Sequence, residues 1–194
     1  MSDLYQHGSM SSLSSDESDA RDLLTVFQAA PLAFFVNEEE YAIPTLDFES
    51  ERELLIKTFE EAGADIRIDF EIAATDRLSA FLAQDKGRIL HFSCHGEQRC
   101  LALEDGWGGL QALGVEELRN WVTKGGQNLQ FVFVSACDSL LIGQAFVDAG
   151  VDHVVCCRQG DVRAEAAGRS GCSRWVASLD RGANSDLCVL FSGV

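Results

Sequence analysis

The chain has 194 residues, 46% of them hydrophobic, a length that suits one domain with a proper core and would squeeze two. Its 31 acidic residues against 15 basic leave a net charge of −16, which disfavours phosphate backbones and anionic membranes as partners and weakly favours a basic peptide. Only two prolines are present, which argues against fibrous or low-complexity character, and no apolar run approaches the roughly 18 residues that span a bilayer.

Residues 1–20 read as a disordered Ser/Asp-rich tail, with Ser11, Ser12, Ser14, Ser15 and Ser18 among acids and no apolar period. The tail lacks the apolar segment of a secretory signal, so the expected location is the cytoplasm. From 21 to 194, apolar runs alternate with amphipathic segments, the pattern of a parallel sheet flanked by helices. Pro31–Val36 (PLAFFV) is a continuous apolar run, expected as the first strand and covered on both faces. A helix over Glu49–Ala62 places Leu54, Leu55, Thr58 and Phe59 on one side, with Gly63 as its stop. Ile66–Ile72 alternates strictly, which predicts a half-exposed edge strand. Thr75 then caps a helix through Gln84 that turns Leu78, Phe81 and Leu82 inward, and Gly87 closes it.

Arg88–Cys94 is the next strand and runs into His95-Gly96. Leu101–Leu103 and Leu110 flank a turn at Glu104-Asp105-Gly106, which predicts a short hairpin whose glycines at 106, 108 and 109 serve turns rather than phosphates. A helix over Val115–Lys124 leads to the strand Leu129–Ser135, which ends at Ala136-Cys137. A helix over Leu140–Ala149, stopped by Gly150, precedes a strand at Asp152–Cys157. Val162–Asp180 reads as a weak helix because Gly168 and Gly171 interrupt it.

The chemistry gathers at two strand ends. Alternation sends His91, Ser93 and His95 to one side and Phe92 and Cys94 to the other, while Ser135 and Cys137 share a face opposite Ala136. In open parallel sheets, reacting groups collect beyond the carboxyl ends of the strands, so His95 and Cys137 are expected to meet across the 42 positions that separate them. A thiol with an ordinary pKa near 8.5 becomes a nucleophile when an imidazole takes its proton, and the imidazolium then protonates a leaving amine. Backbone N–H groups of Gly96 and Cys137 are the expected oxyanion donors, and the positive end of the following helix would favour a thiolate.

The other polar residues read as structural. His91 is expected to be a buried, hydrogen-bonded histidine, and His153 a strand-boundary residue. Asp138 either shapes a pocket for a basic residue, with Ser135, or caps the next helix, and the cap is the preferred reading. Zinc is disfavoured because Cys94 and His95 point to opposite faces and no CxxC pair exists. The seven cysteines, at 94, 100, 137, 156, 157, 172 and 188, form an odd set that argues for reduced thiols rather than a disulfide framework.

His91-Phe92-Ser93-Cys94-His95-Gly96 resembles the histidine motif of the CHAT domain, a branch of the caspase, separase and legumain group, and Val134-Ser135-Ala136-Cys137-Asp138-Ser139 resembles its cysteine motif. The likeness runs from Pro31 to the C-terminus through Thr45–Glu49, Leu101–Asp105 and Ala145–Gly150 into Val154-Val155. It departs at the last helix, where Glu165-Ala166-Ala167 fits but Arg174-Trp175 stands in place of a Phe-Tyr pair, so the domain reads as minimal or as a piece of a longer protein.

The resemblance implies a caspase-like α/β three-layer sandwich with a mostly parallel central sheet. It also implies a cysteine endopeptidase acting on protein substrates through His95 and Cys137, with Gly96 beside the oxyanion and no metal or organic cofactor required. Domains of this kind act within larger proteins and on protein partners, so adjoining repeats or a regulatory partner are expected. The rival expectation is a catalytically inactive interaction module that keeps the fold and cuts nothing.

Overall fold

The computed structural model describes residues 22–84, 87–97, 99–157 and 187–191. The N-terminal tail and the weak helix over 162–180 lie outside the described residues.

The first strand of the central sheet is β1, Asp22–Gln28. This corrects the expectation that Pro31–Val36 opens the sheet. Leu24, Thr25, Val26, Phe27 and Gln28 are all buried, as a strand covered on both faces requires. Ala33–Val36 instead forms β2, which turns back into β3, Glu39–Ala42, as a separate two-stranded ribbon. Both segments are apolar runs, but β1 pairs with β4 over seven residues and with β5 over five, whereas Phe35 on β2 is 67% exposed.

Helix α1, Phe48–Glu61, follows. Asp47 caps it by accepting a hydrogen bond from the Ser50 backbone N–H, and Gly63, just past its end, takes a left-handed φ of 61°. Strand β4, Ile66–Ile72, lies at the sheet edge as its alternation predicts. Helix α2, Thr75–Gln84, buries Leu78 and Leu82 and packs Phe81 beside them. Thr75, expected as its cap, is its first residue, and the Thr75 hydroxyl donates to Gln111 at 2.8 Å.

Strand β5, Ile89–Ser93, enters the sheet between β1 and β9, Phe131–Ser135. Between them the chain builds a three-stranded antiparallel decoration: β6 (His95–Glu97), β7 (Cys100–Glu104) and β8 (Leu110–Gly114). The expected turn is closed by the Asp105 carboxylate, which accepts from the N–H groups of Trp107 and Gly109. Helix α3 (Val115–Gly125), helix α4 (Leu140–Asp148) and strand β10 (His153–Cys157) complete the alternation. An edge strand the sequence reading missed, β11 (Leu187–Phe191), runs antiparallel to β10.

The sheet order is β11-β10-β9-β5-β1-β4, with β10, β9, β5, β1 and β4 mutually parallel. Helices α2, α3 and α4 cover one face over a continuous core. Phe27 stacks on Phe92 with centroids 6.0 Å apart, and Phe92 in turn meets Phe146 of α4 at 5.9 Å. Helix α1 lies on the opposite face, where Arg52 sits 5.0 Å from the Phe70 ring and reaches Gln28. This is the caspase-like α/β sandwich. Among the described residues no helix is long and apolar enough to cross a membrane.

The chain leaves β1 for β4 on one side, then returns to place β5, β9 and β10 on the other. The direction of growth therefore reverses between β1 and β5. A crevice opens at the carboxyl ends of strands at such a switch point.

Candidate functional site at the strand ends

Parallel pairing of β5 and β9 aligns Ser93 with Ser135. Two positions further along, one chain segment carries His95 and the other Cys137. The N–H of Cys94 still donates to the Ser135 carbonyl at 3.4 Å, so the two strands stay in step to their ends. Gly96 then passes against the neighbouring chain so closely that a Cβ there would lie 2.7 Å from the Cys137 carbonyl oxygen and 2.9 Å from the Ala136 Cβ. Only a residue without a side chain fits this approach. The Cys137 thiol is exposed, while Cys94, one position before His95, is buried in the core.

A third chain segment enters the crevice. The Pro44 carbonyl, in the stretch between β3 and α1, lies 2.7 Å from His95 Nε2. A carbonyl only accepts, so Nε2 carries the proton and the lone pair of the neutral ring is on Nδ1. No side-chain pattern signals this partner, because the interacting atom belongs to the backbone. Sequence reasoning missed it.

The turn after Cys137 corrects the preferred reading of Asp138. The residue at the N-cap of α4 is Ser139, with no side-chain capping bond, and its hydroxyl accepts from the Cys157 N–H instead. Asp138 precedes it in the left-handed region at φ 48°, where a short polar side chain is tolerated better than most. Its Oδ1 is buried without a hydrogen bond among the described residues. Ser135 is fully buried beneath this turn. The cysteine thus sits on a sharp reversal between a strand and the positive end of a helix.

Under the site, on the α1 side of the sheet, lies a polar cluster. Gln28 donates to Glu51 at 2.9 Å and accepts from Arg52 at 2.7 Å. His91 is buried as expected, edge-on to Phe133 with centroids 4.9 Å apart. It is not hydrogen-bonded at Nε2, which faces Glu51 at 3.5 Å. Burial pushes the His91 imidazole down to about 4 and overrides the nearby carboxylate, so the ring is neutral at pH 7.

The unfolded chain takes up this proton near pH 6.5 and the folded one only near 4, so folding stability falls as pH drops through that window. We expect His91→Gln, which keeps a polar partner for Glu51, to flatten part of that slope. The effect is on the order of 2 kcal/mol between pH 7 and 4.5, read from urea midpoints of wild type and variant. Parallel slopes in the two proteins would refute it.

Other thiols differ from Cys137. Burial, with Glu51, Cys137 and Cys100 adding to it, pushes the Cys94 thiol far up. Burial and then Glu97 push up Cys100. Cys156 and Cys157 are buried in β10. Among Cys94, Cys100, Cys137, Cys156 and Cys157, Cys137 alone is exposed.

No curated protein matches the chain. The CHAT domain profile matches residues 8–168, a span that contains both strand ends, the Pro44 segment and helices α1 to α4. With most of its length matched and the caspase-like sandwich in place, the chain belongs to the CHAT domain family.

Proposed function

We propose that this domain is a cysteine endopeptidase in which Cys137 is the nucleophile and His95 the general acid and base. The observation that carries this reading is the register of β5 against β9, continued to the strand ends by the close packing of Gly96 on Cys137. His95 Nδ1 takes the thiol proton, while Nε2–H stays on the Pro44 carbonyl and fixes the ring. The thiolate attacks the substrate carbonyl, and the N–H groups of Gly96 and Cys137 receive the oxyanion. The imidazolium then gives its proton to the departing amine, and water later releases the acyl group by the reverse sequence.

Substrates are extended protein segments, and the half-buried Asp138, next in the chain to Cys137, supports a basic residue next to the cleaved bond. No step in this sequence calls for a metal or an organic cofactor. The competing reading is an interaction module that holds peptides without cutting them. It has the same fold and differs only in whether Cys137 reacts.

Alkylation by iodoacetamide tests the pair directly. Cys137 should be labelled well ahead of the buried Cys94, Cys156 and Cys157, and its rate at pH 7 should fall about tenfold or more in His95→Ala. Mass spectrometry of peptides from the two proteins reads the site and the rate. An unchanged Cys137 rate in His95→Ala would sink the proposal.

A further inference from the structure

The β2–β3 ribbon projects from the switch-point end of the sheet and is apolar on both of its faces. Cross-strand pairing puts Phe34 opposite Tyr41 and Phe35 opposite Glu40. Phe34 and Tyr41 stack with centroids 5.3 Å apart on one face, yet remain 37% and 43% exposed. Phe35, on the other face, is 67% exposed. The ribbon turns at Asn37-Glu38, both with positive φ, which matches the twist of a tight two-residue hairpin. An isolated two-stranded ribbon is marginal in water, and an uncovered strand edge invites another strand.

One edge of this ribbon is occupied and one is open. The β2 side is tied to the β7–β8 turn by the Leu32 N–H to Gly108 carbonyl bond at 2.8 Å and a bridge between Ala33 and Gly109. Among the described residues, β3 pairs with β2 alone. The open strand carries Glu39 and Glu40, with Glu38 in the turn before them. Like charges opposed across a new edge repel, so this sequence resists pairing with a second copy of itself. An extended segment that alternates basic and apolar residues meets no such penalty. It satisfies the free N–H and C=O groups, covers aromatics and neutralises glutamates at once.

We infer that the free edge of β3 is a docking site for an extended basic and apolar segment of a partner protein, bound as an added strand. The inference does not depend on Cys137 being reactive. The ribbon does sit close to the site: Ile43 closes its base by donating to the Leu32 carbonyl at 2.9 Å, and Pro44, the next residue, holds His95.

The probe is a short labelled peptide of alternating Lys and Val, with the Glu–Val peptide as its counterpart, followed by fluorescence anisotropy with the full chain. The Lys–Val peptide should bind and the Glu–Val peptide should not. Phe35→Ser should weaken binding about tenfold. Glu39→Gln with Glu40→Gln should weaken it by at least as much, whereas Glu116→Gln with Glu117→Gln, the same charge change on exposed α3, should leave it within about twofold. N-methylation of the peptide at alternate residues should abolish binding, because it removes the main-chain donors an added strand needs.

Absence of binding to wild type overturns the inference. Equal losses from the two glutamine pairs also overturn it, since they reduce the effect to attraction by the whole acidic surface. Self-association of the free chain through this edge would overturn it in favour of a second copy.

Discussion

Cys137→Ala and His95→Ala should each remove the hydrolysis of fluorogenic peptides, with kcat/KM falling about 10⁴-fold or more. Loss on this scale is expected because the thiol supplies the bond to carbon and the imidazole supplies both proton transfers. Neither role has a substitute among the described residues near the strand ends. The double variant should be scarcely worse than either single one, since residues that act as a unit do not contribute additively.

The experiment reads more than activity. A library of peptides differing next to the cleaved bond should rank Lys and Arg first if the half-buried Asp138 carboxylate meets the side chain there. Wild-type protein with intact far-ultraviolet dichroism and no turnover on any peptide would favour the interaction module. Activity surviving Cys137→Ala would remove the nucleophile assignment outright.

The second large effect is expected from Gly96→Ala. The added methyl would lie 2.7 Å from the Cys137 carbonyl oxygen, a backbone atom that cannot swing aside as a side chain can. The strands must separate at their ends or the Cys137 peptide must rotate. Under the proposed mechanism, either movement displaces nucleophile, base and oxyanion donors relative to one another. A misplacement of about 1 Å costs on the order of 100-fold in rate, and the forced overlap costs about 1–3 kcal/mol in stability.

Gly114→Ala is the matched control, since a Cβ at Gly114 meets nothing within 4 Å. It should change neither quantity appreciably. Kinetics and thermal unfolding of the two variants side by side provide the check. A Gly96→Ala enzyme with wild-type kcat/KM would show that the strand ends are not held together by this contact.

How far the sequence carries the structure depends on the kind of signal. Helices α1 to α4 were legible because each has a 3.6-residue apolar face closed by glycine or a turn, and Gly63 and Gly150 do take positive φ. Strands β4, β5, β9 and β10 were legible from runs bounded by such helices. The first strand was not, because residues 23–27 and 31–36 are both apolar, and only pairing across the sheet tells a core strand from a projecting ribbon. Strand β11 is a short apolar run at an edge and gives no period of its own.

At the site, the juxtaposed ends of β5 and β9 followed from two runs ending in His and Cys. Pro44 did not, as its contribution is a carbonyl that every residue type possesses. Asp138 was read as a cap because acids before a helix usually are caps. The chain instead spends that position on a left-handed turn and starts the helix at Ser139.

Helix α1 has no fully buried residue: Leu54, Leu55 and Phe59 are only half-buried, and Glu51 and Arg52 tie it to Gln28 and Phe70. Elements held by polar contacts and little apolar area open at the low end of a protein's range of free energies, well before the core does. The segment carrying Pro44 is continuous with that helix. The imidazole's anchor therefore has the lifetime of the helix docking, not of the fold. The β5–β9 pairing, set in the core, persists through such openings, so the Pro44 carbonyl can leave His95 many times over while the strands that lead to His95 and Cys137 stay paired.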